Sequence, residues 1–353
     1  MSSRPDPPAP PSRRWVDPVR VVALGGGHGL AASLTALRAM TDRLTAIVTV
    51  ADDGGSSGRL RREMGVIPPG DLRMAVAALA DDDPWAATWV DLVQHRFTGD
   101  GPLHAHAVGN LLIVAAAERL GGIVPALDLV GQLVHARGRV LPMSVVPLDL
   151  VAEVTGLDPA DPQAVTPVRG QVAVATTPGD VVGVHLDPAD PPACPEAVHA
   201  VHEADWVLLG PGSWFTSVIP HMLVPELRTA LIRTPARRAL VLNLSPQVGE
   251  TSGFTAARHL EVFAAHAPGV RIDVVLADPA LDAAAPGAGV RAAVEHAAAA
   301  LGATVLWRAV ARDDGTPRHD PRRLTDALRV AFSGPSTAPD AGTPPVEGFR
   351  PWR

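Results

Sequence analysis

The stretch Val21-Val-Ala-Leu-Gly-Gly-Gly-His-Gly-Leu30 decides how this chain reads. Apolar residues run straight into a glycine cluster, and a helical pattern of Leu and Ala follows over 30–40. A strand that is apolar throughout is buried on both faces, the mark of a parallel sheet covered by helices. Such a turn presents backbone N–H groups and a helix N-terminus to a phosphate. Gly25, Gly26, Gly27, His28 and Gly29 are therefore phosphate-binding candidates. Gly27-x-Gly29-x-x-Ala32 also fits the loose dinucleotide pattern, and the next strand, 44–51, ends beside Asp52, where a ribose-binding acid would sit. The plain alternative is a tight turn that needs positive φ.

Outward from there the chain reads Asp52-Asp-Gly-Gly-Ser-Ser-Gly-Arg59. Two carboxylates at the C-terminal end of a strand lie on the ligand edge of an α/β sheet, so Asp52 and Asp53 are candidates for Mg2+ or a ribose. Gly54 and Gly55 give a flexible loop that can wrap phosphates, Ser56 and Ser57 add hydroxyls, and Arg59 adds a charged fork. The plain reading is a solvated loop with a helix cap at Ser56 or Ser57. Asp71, in Pro68-Pro-Gly-Asp71, is either a helix cap or a third carboxylate facing Asp52. His104 and His106 are spaced like metal ligands, but no matching set accompanies them, so zinc is disfavoured. Asn110, entering the apolar helix 108–120, is a cap or a ligand contact.

A second strand, glycine turn and helix follow at Leu208-Leu-Gly-Pro-Gly-Ser213, making Gly210, Gly212 and Ser213 further phosphate candidates. No Gly-x-Ser-x-Gly elbow is present, which disfavours a serine hydrolase. The strand 239–244 ends at Asn243 and leads to Phe254. Three such loops from one sheet edge would converge on one crevice. Arg318, before the last helix, is placed to reach back into it, while Asp320 reads as that helix's cap.

Short apolar runs alternate with helical patterns along most of the chain, giving strands at 206–209, 272–277 and 304–309 and helices at 72–80, 256–266, 292–301 and 321–332. The span 140–195 differs. It is rich in Val, Pro, Thr and Asp, alternates at 171–176, and reads as an antiparallel excursion. The expected fold class is α/β, a Rossmann-like three-layer αβα domain over 19–332 with a mainly parallel sheet. The Pro-rich ends, 1–18 and 333–353, read as disordered tails.

The 353 residues are 47% hydrophobic and 19% charged, a globular composition. All 30 basic residues are Arg, Tyr is absent and Cys194 stands alone. That excludes a P-loop or Schiff-base lysine, phenol acid–base chemistry, an intramolecular disulfide and a cysteine metal cluster. A net charge of −7 gives no sign of nucleic-acid binding. No apolar run is long enough for a membrane span, and Asp17 and Arg20 spoil any export signal after Arg13-Arg14, so a cytoplasmic setting is expected. A homo-oligomer fits the sequence, which identifies no protein partner.

Taken in order, these motifs resemble the gluconeogenesis-factor (YvcK-like) family of the CofD-like superfamily. The likeness spans about 19–332 and is most specific over Thr45–Leu60 and Pro-Pro-Gly-Asp at 68–71. Gly109-Asn110, Arg137-Gly138, Gly210-Pro-Gly-Ser213, Thr216-Ser217, Gln247 and Gly249-Glu-Thr251 add to it. The resemblance implies a UDP-sugar-binding protein, UDP-N-acetylglucosamine being the expected ligand, with a role in cell shape and envelope synthesis tied to carbon source. No reaction is established for this branch. The related CofD branch transfers 2-phospho-L-lactate with Mg2+, which makes Mg2+ the one cofactor to consider. Departures from the family pattern include His28 for Thr, Met74 for Asn, Trp214-Phe215 for Leu-Tyr and Phe254 for Tyr. Phe254 keeps a stacking face but loses a hydroxyl.

The resulting expectation is a nucleotide-sugar-binding regulatory protein. Its rivals are a Mg2+-dependent transferase using Asp52, Asp53 and Asp71, and an NAD-binding protein.

Overall fold

The computed structural model describes residues 19–247, 249–283 and 289–334. The Pro-rich tails fall outside them, except Ser333 and Gly334 at the end of the last helix. In chain order the strands are β1 (Val21–Gly25), β2 (Leu44–Val48), β3 (Arg139–Pro142), β4 (Asp149–Thr155), β5 (Thr166–Arg169), β6 (Asp180–Asp187), β7 (Trp206–Leu209), β8 (Arg237–Val241), β9 (Val274–Ala277) and β10 (Thr304–Trp307). Seven form one sheet in the order β10-β9-β8-β7-β1-β2-β3, parallel throughout. The other three pair antiparallel as β5-β4-β6. The expected Rossmann-like α/β architecture is therefore what the chain adopts.

Burial fits the strand order: β1, β7 and β9, all interior to the sheet, are buried at every position, as a central parallel strand must be. Leu24, Ile47, Leu208 and Leu240 are at most 1% exposed, each contributing about 1.5–3 kcal/mol of burial. From β1 the chain crosses to β2 through the helix Gly27–Arg38, and from β7 it crosses the other way to β8. Right-handed crossovers in opposite directions put their helices on opposite faces of the sheet. The gap between β1 and β7 is thus the topological switch point, where α/β sheets open a ligand crevice. Leu24 pairs with Leu209, so the two glycine turns leave the sheet side by side.

Three local expectations give way. Residues 54–58 are not a flexible loop: a helix runs over Gly55–Met64, with Ser56, Ser57, Gly58 and Leu60 buried and Gly65 closing it in the left-handed region. Residues 171–176 are not a strand but the single turn Gln171–Ala175, started by the positive φ of Gly170, which no strand can continue through. Six residues of alternation are too few to tell strand from helix. Finally, β3 lies at the front of the region set apart in the sequence, yet it joins the parallel sheet beside β2.

Candidate functional site

The first turn opens the helix Gly27–Arg38, and its cap at Gly26 receives no side-chain hydrogen bond. The first N–H groups of a helix have no partner within it. Gly27 donates to the Asp71 carboxylate, and the Leu30 N–H closes on Gly26 O at 3.2 Å. That leaves the amides of His28 and Gly29 without a partner among the described residues. Gly29 packs so closely that a β-carbon there would lie 2.2 Å from Pro211 O. The two glycine turns are therefore in backbone contact.

The second turn is less open than its sequence suggests. The Gly210 N–H bonds Leu24 O at 3.3 Å, and Pro211 has no N–H to offer. Asn243 clamps Gly212 from both sides, accepting its N–H at 3.0 Å and donating to its carbonyl at 2.8 Å. Glu250, part of the Gly249-Glu-Thr251 motif but not among the candidate site residues, takes the N–H groups of Phe215 at 2.7 Å and Thr216 at 2.8 Å and the hydroxyl of Ser213. It is 4% exposed, and burial pushes its carboxyl above the ordinary range against those three donors.

A cavity of about 690 Å³ opens beside these turns. His28, Gly29, Gly212, Asn243 and Arg318 all line it, so five of the predicted residues meet there, drawn from four separate segments. Arg312, from the same hairpin as Arg318, lines it too and was not foreseen.

The carboxylates form a second group next to Gly26. A β-carbon on Gly26 would come within 2.6 Å of both Asp71 Oδ2 and Thr49 Cγ2. Asp52 accepts the Gly54 N–H at 2.9 Å and a bond from Ser57. Its carboxyl is raised chiefly by burial, with Asp53 adding to the effect. Asp71 is pushed up to about 7, first by burial and then by the charge of Asp52. Asp53 is turned away: its Oδ1 accepts the Val172 N–H at 2.9 Å and fastens the turn Gln171–Ala175, which follows β5. Among the described residues no group of three or more His, Cys, Asp or Glu side chains is placed to hold a metal ion. Asp52 and Asp71 remain as a pair, and two carboxylates completed by a ligand's phosphates and water fit the way Mg2+ is commonly held.

The remaining candidates are already committed. Ser56 donates to His106 Nδ1 at 2.9 Å and accepts from Asn110 at 3.0 Å, while Asn110 accepts from Arg73 at 2.9 Å. This network is buried and ties 54–57 to the helix Val108–Leu120. Arg59 donates to the carbonyls of Pro102 and His104, bracing the loop before that helix. Phe254 stands edge-on to Phe215 and His259, in an aromatic cluster that does not line the cavity.

The Asp71 shift gives a pH test. Its folded pKa lies above the unfolded value of about 3.9, so between about pH 4 and 7 the folded state holds the extra proton. Asp71 therefore contributes its stability at low pH and loses it as pH rises through 7. Asp71→Asn removes that titration. Its melting temperature, relative to the wild type, is expected to rise from about pH 5 to about pH 8, by an amount on the order of 3 kcal/mol in stability. A difference that is flat across that range defeats the assignment.

Known proteins share this framework. The family model described as 2-phospho-L-lactate transferase CofD matches residues 21–300. A relative from Mycobacterium tuberculosis that carries the gluconeogenesis-factor name is 52% identical over 336 residues, covering 94% of this chain and 97% of its own. The gluconeogenesis factor of Listeria monocytogenes is 36% identical over 322 residues, covering 88% of this chain and 94% of its own. A crystal structure of a UPF0052-family protein from Bacillus halodurans superposes with a TM-score of 0.77 at 32% identity, covering 89% of this chain and all of that one. Matched over this much of its length, the chain belongs to the gluconeogenesis-factor (YvcK-like) branch of the CofD-like family.

Proposed function

We propose that this protein is a cytoplasmic gluconeogenesis factor that binds a UDP-sugar, UDP-N-acetylglucosamine first among them, and regulates cell shape and envelope synthesis during gluconeogenic growth. The observation that carries the reading is the cavity at the switch point. Helix-terminal amides at His28 and Gly29, the Asn243 side chain and the Arg318 cation all line it. Amides and a cation suit the phosphates. A volume of about 690 Å³ suits a nucleotide-sized ligand, within the usual range for small-molecule sites. The name carried by the relatives supports the physiological half of the proposal.

A calorimetric titration tests it. UDP-N-acetylglucosamine should bind the wild type and, at 100 times its Kd, stabilise it by about 2.7 kcal/mol. Asn243→Ala frees the Gly212 peptide and should weaken binding by about 10-fold or more, the loss of roughly two hydrogen bonds. No binding by the wild type at high protein concentration removes the proposal.

A second reading, a Mg2+-dependent transferase, is favoured by the Asp52–Asp71 pair beside Gly26. When bound, Mg2+ would neutralise phosphate charge. Asp52 and Asp71 would hold it, and the Gly27 N–H would keep Asp71 oriented. Turnover of a nucleotide-diphospho-lactate donor with a deazaflavin acceptor would establish this reading instead. The NAD-binding reading loses support, because Asp52 is turned toward Gly54 and Ser57 and does not line the cavity.

A further inference from the structure

The cavity's capacity for negative charge can be counted donor by donor. In the second turn, the N–H groups of Gly210, Gly212, Phe215 and Thr216 are all spent on partners within the protein. Glu250 even brings a carboxylate to the place where a second phosphate would otherwise dock. On the two glycine turns, the cavity-lining amides left without a partner among the described residues are those of His28 and Gly29, enough for one phosphate at a helix terminus; the unpartnered Ser213 and Trp214 amides do not line the cavity. A diphosphate needs more compensation than that.

The opposite wall supplies it. Ala311 and His319 form an antiparallel bridge, the Arg312 N–H bonds Arg318 O at 2.9 Å, and the Asp320 N–H bonds Val310 O at 2.7 Å. In this register Arg312 and Arg318 stand directly opposite each other, so their side chains share one face of the hairpin. Like charges so placed repel unless an anion lies between them. The nearby carboxylates are engaged elsewhere. Asp313 pairs with Arg323, Asp278 takes the amides of Val310 and Ala311, and Asp320 caps the last helix. Asp314 feels the charge of Arg312 but spends its carboxylate on the Thr316 amide and hydroxyl. Among the described residues neither arginine has an ion-pair partner, and both line the cavity.

We propose that Arg312 and Arg318 form one anion clamp, and that Arg312 selects ligands carrying a diphosphate over those with one phosphate or none. The identity of the nucleoside rests on the reading above; the clamp itself does not. Guanidinium forks bind phosphate oxygens in pairs, which lets two arginines span adjacent phosphates while the helix terminus holds one end.

The test titrates wild type, Arg312→Gln and Arg312→Lys with UDP-N-acetylglucosamine, uridine monophosphate, uridine and inorganic pyrophosphate. Arg312→Gln should lose about 10- to 100-fold for the UDP-sugar and for pyrophosphate, the range of a charge-assisted hydrogen bond. Its affinity for uridine should stay within about twofold, and its melting temperature should match the wild type because the side chain is exposed. Arg312→Lys should recover part of the loss, as a point charge without the fork. An equal loss for all four ligands, or no loss, overturns the clamp. If the wild type binds pyrophosphate in an Arg312-dependent way but no uridine compound, the clamp stands and the nucleotide-sugar reading falls. Binding of neither removes both.

Discussion

Gly29→Ala should abolish ligand binding and destabilise the fold by about 2–3 kcal/mol, the upper range for forcing an extra carbon into a packed site. The added carbon would lie 2.2 Å from Pro211 O, 2.7 Å from Pro211 C and 2.8 Å from Gly212 Cα. All three are backbone atoms, so no rotamer change relieves the clash. Nor can the opposing turn move away easily. Asn243 holds the Gly212 peptide at both its N–H and its carbonyl, and the Gly210 N–H is bonded to Leu24. The helix Gly27–Arg38 must retreat instead, carrying the His28 and Gly29 amides out of the cavity wall. An intrinsic gain works against this, since Ala is favoured over Gly within a helix by about 1 kcal/mol. The contact distances say that the clash wins. Denaturant melts and the UDP-N-acetylglucosamine titration measure both effects. Gly101→Ala is the control, because a β-carbon there meets nothing within 4 Å. If Gly29→Ala melts and binds like the control, the two turns are not packed as described.

β1, β7 and β9 were readable because central parallel strands are apolar on both faces, and a run such as Val21-Val-Ala-Leu24 has no other use. The helix Gly55–Met64 was not, because three of its four buried residues, Ser56, Ser57 and Gly58, signal a loop by type and only Leu60 is apolar. It is helical because tertiary contacts override that propensity: Ser56 is held by His106 and Asn110, and Gly58 leaves room for the carbonyl of Asp53. For the site, glycine turns at strand ends pointed to His28, Gly29 and Gly212 as phosphate candidates, and all three line the cavity. Composition could not say that Ser56, Ser57, Asn110 and Arg59 would be consumed in bracing one another's loops. Arg312 did have a signal: Asp314-Gly315 is a turn pair midway between Arg312 and Arg318, which suggests a hairpin with both on one face. Glu250 stood in the family motif Gly249-Glu-Thr251, but its role was not legible, because which amides a loop carboxylate caps depends on how two distant segments meet.

Glu250→Ala is expected to cost about 3 kcal/mol or more. Glu250 serves two buried amides and a hydroxyl with charge-assisted bonds, and deleting it leaves both amides without a partner and the Ser213 hydroxyl with only Thr216 Oγ1. Glu250→Gln keeps a carbonyl oxygen for the Phe215 and Thr216 amides and should cost only about 1 kcal/mol. A void alone could produce the first loss, so the decisive measurement is rescue. If the carboxylate acts as a built-in anion, formate or phosphate at millimolar concentration should refill its place. Either should then raise the melting temperature of Glu250→Ala well beyond any effect on the wild type. The rescued protein should bind UDP-N-acetylglucosamine again, since the Gly210–Ser213 turn would regain its shape without covalent attachment of the anion. Equal responses of variant and wild type to added anion would mean that Glu250 only fills space. In that event the Phe215 and Thr216 amides would count as donors open to a phosphate, although Gly210 and Gly212 would stay spent on Leu24 and Asn243, and the case for an arginine clamp on the opposite wall would weaken accordingly.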